Sequence, residues 1–185
     1  MRIRKYENKD KEDVRYICLN CDEPFDGPES ERVFFLSLFC DYYIEREPDN
    51  CFVVVDDADV AVGYIICTEN YTKFKSVFLE DYSLRIDEKD TKGRKAAREA
   101  IEAYEIFCDD YPAHFHIDIL PDYQRMGLGH KLMGTLVEHL KGKNVKGIML
   151  SVWNRNKKGI AFYEKYGFVY LCERQTEVIY GLRLD

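Results

Sequence analysis

Gln124-Arg125-Met126-Gly127-Leu128-Gly129 is the stretch whose reading decides what this chain is. Before it lies an alternating run, with Phe115, Ile117 and Ile119 on one side and His114, His116 and Asp118 on the other, as in a strand. After it, Leu128, Leu132, Leu136 and Leu140 form the stripe of an amphipathic helix, which Lys141-Gly142-Lys143-Asn144 closes. Strand, glycine turn, helix is the order in which a backbone builds an anion cradle. Successive N–H groups converge, and the positive end of the helix dipole stands behind them. Glycine lets that backbone approach phosphate oxygens with no Cβ in the way. No Gly-Lys-Ser/Thr follows, which excludes a Walker loop, and the spacing is not the Gly-x-Gly-x-x-Gly of a dinucleotide fold.

Working outward, residues 146–153, 168–172 and 176–184 read as strands and 157–166 as a helix. Towards the N-terminus, 2–6 reads as a strand and 10–19 as a helix. A second helix, from about 30 to 47, carries Phe34, Phe35, Leu38, Phe39, Tyr42 and Tyr43 on a broad buried side. A hairpin pairs 51–55 with 60–68. Residues 71–84 are aromatic without a clean period, and 91–108 have helical spacing in Ala97, Ile101 and Tyr104. Alternation of strands and helices around the glycine turn predicts a mixed α/β sheet.

A chain of 185 residues is most simply one domain. No apolar run approaches a membrane span, and Met1-Arg2-Ile3-Arg4-Lys5-Tyr6 lacks the apolar core of a secretion signal, so a cytoplasmic location is expected. The net charge of −7 disfavours nucleic acid as the main partner, since phosphate backbones need a basic surface. Seven cysteines, an odd number spread over strands and helices, read as reduced thiols. Cys18 and Cys21 have the spacing of half a zinc site, but no second pair completes it, and no metal is expected.

The loop resembles the Arg/Gln-x-x-Gly-x-Gly/Ala pyrophosphate loop of the GNAT acyl-CoA N-acyltransferase superfamily. Pro121-Asp122-Tyr123 is similar to the segment that precedes that loop, and Asn156 to Phe168 resembles the family's Asn-x-x-Ala-x-x-x-Tyr-x-x-x-Gly-Phe block, with Gly159 where alanine is usual. The resemblance implies an α+β fold: a mixed, mostly antiparallel twisted sheet of about seven strands flanked by helices, as one domain over residues 1–185. Residues 71–108 then stand as a helical insertion before the central strand, expected to cover the acceptor side.

The same resemblance implies roles. Gln124, Arg125, Met126, Gly127, Leu128 and Gly129 would hold the pyrophosphate of acetyl-CoA, and the backbone around Ile117, Asp118 and Ile119 its pantetheine arm, with the Ile119 N–H as oxyanion donor. Asn156 would contact the cofactor arm or cap its helix, and Tyr163 would stabilise or protonate the leaving thiolate. His116 and Asp118 are candidates for the base, beside a water chain or an amine that arrives neutral. His114, His116 and Asp118 also imitate a metal cluster, which such enzymes do not need. Tyr42, Tyr43 and Tyr71 are candidate walls of the acceptor pocket or plain core residues.

The implied partners are acetyl-CoA and an amine-bearing acceptor, small rather than polymeric, with a homodimer allowed. The expected activity is direct acetyl transfer in a ternary complex. The stretch from Tyr111 to Pro121 also resembles the acetyltransferase-like modules attached to some O-GlcNAc hydrolases. That likeness opens an alternative, a module that binds acetyl-CoA with little or no turnover.

Overall fold

The computed structural model describes residues 1–185. Its strands are β1 (Arg2–Lys5), β2 (Phe52–Val55), β3 (Ala61–Thr68), β4 (Ala113–Ile119), β5 (Gly147–Trp153), β6 (Val169–Arg174) and β7 (Glu177–Arg183). The helices are α1 (Lys11–Asn20), α2 (29–46), α3 (71–85), α4 (Thr91–Glu102), α5 (Leu128–Gly142) and α6 (Lys157–Tyr166). The strands form one seven-stranded sheet in the order β1-β2-β3-β4-β5-β7-β6. Every neighbouring pair is antiparallel except β4 and β5. No helix is long and apolar enough to cross a membrane.

Period-two alternation divides the core between the two faces. Val53, Val55, Tyr64, Ile66 and Ile179 pack beneath α1 to α4, whereas Val54, Ile65, Cys67, Phe115, Ile148 and Leu150 pack against α5 and α6. The leucine stripe of α5 is wholly inside: Leu132, Leu136 and Leu140 have no exposed surface.

Residues 71–108 supply core side chains and, through α4, border the cleft described below. Tyr71, Phe74, Phe78 and Tyr82 fall at helical spacing along α3 and are buried, with Ala97 and Ile101 of α4, in the same cluster as Tyr42, Tyr43 and Tyr64. The segment is one wall of the core. Five of its residues, Phe78–Tyr82, form a π turn. A second π turn, Ser37–Asp41, divides α2. There Tyr42 and Tyr43 turn inward with no exposure, while Phe35 remains 38% exposed, stacked on Phe39 at 6.0 Å.

Candidate active site

β4 and β5 pair only at Ala113–Ile148 and His114–Met149, then part. On its other side β4 stays paired with β3 as far as Ile119. The Leu120 N–H donates to Val62 O at 3.0 Å, which fixes the phase of that ladder. His114, His116 and Asp118 therefore spend their backbone groups on β3, while Ile117 and Ile119 turn theirs towards the opening. Asp118, one of the three residues expected to offer its backbone to a cofactor arm, has none to offer on that side.

The glycine turn stands at the wide end of the opening. Arg125 (φ 62°) and Gly127 (φ 75°) are both left-handed, and Gly127 is the N-cap of α5. The left-handed φ favours glycine at 127, and a Cβ there would meet nothing within 4 Å. The first bond into α5 is from Lys131 N–H to Gly127 O, at 3.2 Å. No N–H from Arg125 to His130 finds an acceptor in the protein, and the first turn of α5 carries no acid. A row of bare donors backed by a helix dipole suits an oxyanion.

Gln124 does something different with its side chain. Its Nε2 donates to Ile119 O at 2.9 Å and to Cys21 O at 3.2 Å, tying the loop to the end of β4 and to the residue after α1. Asn156 is the N-cap of α6, its Oδ1 accepting from Gly159 N–H at 2.8 Å. A Cβ on residue 159 would lie 2.8 Å from Asn156 Nδ2, so a side chain there would need the capping amide to shift slightly. Gly167 (φ 110°) ends α6 in the left-handed region.

Along α6, Tyr163 is half-buried, its ring packed against Phe115 of β4 at 6.2 Å and Phe168 at 5.7 Å. Its hydroxyl makes no hydrogen bond within the protein. Burial, with the nearby Asp118 charge, pushes the phenol well up, so it remains protonated and able to donate at neutral pH.

On the opposite face of β4, Tyr43 joins the two histidines: its hydroxyl lies 2.5 Å from His114 Nε2 and 3.1 Å from His116 Nε2. Burial lowers His116 to about 4 and His114 well below the usual range, so both rings are neutral at pH 7. The Nδ1 of His114 is buried with no partner. Burial pushes the Asp118 carboxyl up, although it accepts a hydrogen bond from the Tyr64 hydroxyl. All seven cysteines are free, and no group of three or more His, Cys, Asp or Glu is placed to hold a metal ion.

From His116 a cleft leads to the surface. Its inner pocket, about 80 Å³, is lined by Tyr104, His114, His116, Ser151 and Glu177 among others. The outer part, about 380 Å³, shares Leu38, Phe39, Ala100 and Glu177 with it and runs between α2, α4 and the β6–β7 turn. Tyr42 and Tyr71 are core residues away from this cleft, and Tyr43 reaches it only through the histidines. Ser151 and Glu177 carried no signal in the sequence, because only the pairing of β5 with β7 brings them together at 2.8 Å.

Comparison with known proteins gives the following. A model of the acetyltransferase (GNAT) family matches residues 13–168. The ribosomal protein bS18-alanine N-acetyltransferase of Escherichia coli is 43% identical over 54 residues, 29% of this chain and 36% of that protein. The match thus spans about a third of the curated relative's length. The crystal structure of SsHAT superposes with a TM-score of 0.86 at 26% identity, over 100% of this chain and 98% of that one. The fold also matches the ribosomal-protein-S18-alanine N-acetyltransferase structure from Escherichia coli, with a TM-score of 0.59 at 19% identity over 99% and 93% of the two chains.

Proposed function

Because the chain belongs to the acetyltransferase (GNAT) family, we propose that it is an N-acetyltransferase that moves the acetyl group of acetyl-CoA to an amine by direct attack in a ternary complex. The observation that carries this reading is the parting of β4 from β5, which leaves the Ile117 and Ile119 amides facing an opening that ends at the bare N–H row of residues 125–130. An extended, amide-bearing pantetheine arm enters there as the missing strand, and its pyrophosphate rests on the row. In this placement Met126, Gly127, Leu128 and Gly129 bind through their backbones. Gln124 holds the loop in place, and Asn156 keeps the start of α6 fixed.

The Ile119 N–H then meets the thioester carbonyl oxygen, a contact worth about 3 kcal/mol in the transition state. The amine nitrogen bonds to the carbonyl carbon, the C–S bond breaks, and Tyr163 gives its hydrogen bond, then its proton, to the departing sulfur. The surplus proton on the nitrogen passes to His116 or through water, and Tyr163 is reprotonated, so one proton in all moves from amine to sulfur. Asp118 accepts from the Tyr64 hydroxyl and His116 Nε2 is bonded to the Tyr43 hydroxyl, so either would share the proton with a neighbouring phenol. With its pKa lowered to about 4, His116 cannot strip a free ammonium; the reacting amine arrives neutral, and rate rises with pH as the acceptor loses its proton. The acceptor reaches the carbonyl through the cleft between α2, α4 and the β6–β7 turn, whose size favours a small amine.

Calorimetry with acetyl-CoA and two variants tests the cofactor site. Gly127→Glu places a carboxylate where phosphate lies and should abolish binding, whereas Gly127→Asn, which tolerates the left-handed backbone and adds no charge, should weaken it less. Equal affinity in Gly127→Glu would sink the assignment. Labelled acetyl-CoA with a panel of amines tests turnover: binding with no acetylated product would reduce the protein to a cofactor-binding module.

A further inference from the structure

We propose that Glu177 anchors a positive charge that the acceptor carries apart from its reacting amine, so that the preferred acceptors are flexible aliphatic diamines. The inference rests on the cleft being the acceptor's path.

Glu177 stands where the outer cleft meets the inner pocket and lines both. Its one side-chain hydrogen bond is from Ser151 Oγ, at 2.8 Å. It makes no ion pair, and neither does Arg174, its partner across the β6–β7 hairpin. The other carboxylate of the cleft, Glu99, lies further out and is paired with Lys95 at 3.6 Å. A carboxylate held in place yet lacking a cation, in a recess with apolar walls, attracts a cation more strongly than one in open water.

Between Glu177 and the surface, Phe34, Leu38 and Phe39 face Ala96, Ala100 and Ala103, with Arg174, Gln175 and Thr176 of the β6–β7 turn on the third side. The apolar walls suit a methylene chain.

The test compares 1,4-diaminobutane with n-butylamine, which has the same stem and no second charge. Wild-type protein should favour the diamine in kcat/KM by about tenfold or more, and Glu177→Gln should bring the two within about twofold by raising KM for the diamine with kcat little changed. Glu177→Asp, which keeps the charge, should retain most of the preference. Equal use of the two amines by wild type, a preference that survives in Glu177→Gln, or better use of a tripeptide bearing only an α-amine would each overturn the assignment. The wild-type comparison stands even if a variant folds poorly. Calorimetric binding of acetyl-CoA decides the underlying reading separately: a protein that binds acetyl-CoA and acetylates amines without preferring the diamine loses Glu177's role alone.

Discussion

Tyr163 is the residue whose chemistry is most open to measurement. Its ring is locked between Phe115 and Phe168, so Tyr163→Phe should remove the hydroxyl and leave the packing in place. Charge grows on sulfur only as the C–S bond breaks, so the loss should appear in kcat, by 10- to 100-fold or about 1.4–2.7 kcal/mol, with acetyl-CoA affinity nearly unchanged. Steady-state kinetics beside calorimetry would check it, and an unchanged kcat would assign the thiolate to another donor. At this scale the sequence was half legible. Strand alternation set His116 and Asp118 on one face, and the family resemblance singled out Tyr163. The groups that engage the two candidates, Tyr43 and Tyr64, come from distant segments and meet β4 only through tertiary packing.

Among the elements, α6 is held at both ends, by the Asn156 cap and by Gly167. Asn156→Ala leaves the Gly159 N–H without its acceptor and should lower stability by about 1 kcal/mol, read from chemical denaturation. A variant of unaltered stability but weakened acetyl-CoA binding would make Asn156 a cofactor ligand first. The regular elements were legible because period and punctuation agree: the α5 stripe, the alternation of β4 and the turn between β2 and β3 all follow from local pattern. Residues 71–85 were not. Tyr71, Phe74, Phe78 and Tyr82 do keep helical spacing, but the apolar Val77, Leu79 and Leu84 fall off that stripe and blur it. The π turn of α2 holds Phe39 and stands between Phe34 and Phe35, which line the cleft with it, and the buried Tyr42 and Tyr43.

For the whole molecule, burying two neutral imidazoles ties stability to pH. The unfolded chain takes up protons near pH 6.5, whereas folded His116 waits until about 4 and His114 until lower still. Between those limits the unfolded state binds more protons, so stability falls as pH drops from about 6.5 towards 4. Asp118, raised by burial, works in the other direction, one carboxyl against two rings. Melting temperature should therefore fall between pH 7.5 and 5, and fall less in His116→Gln; equal slopes in the two proteins would show that His116 is not charged on unfolding in that range. The strands themselves were in reach of the sequence, and their assembly into one mostly antiparallel sheet followed from the family resemblance. The depth at which β4 parts from β5 was not in reach, because a register between strands leaves no mark on either strand alone.

That parting has a consequence for the empty protein. An interior strand with free amides is an unprotected margin inside the sheet, open to solvent exchange and to pairing with any extended chain that fits. Deuterium should replace the Ile117 and Ile119 amide protons quickly in the ligand-free protein, while those of Asp118 and Leu120, closed against β3, exchange slowly. Saturating coenzyme A should silence the fast pair and raise the melting temperature in proportion to the logarithm of its concentration. A cell that lets its coenzyme A fall would then lose more than a substrate: this protein would lose the strand that completes its sheet and begin to associate through the exposed margin.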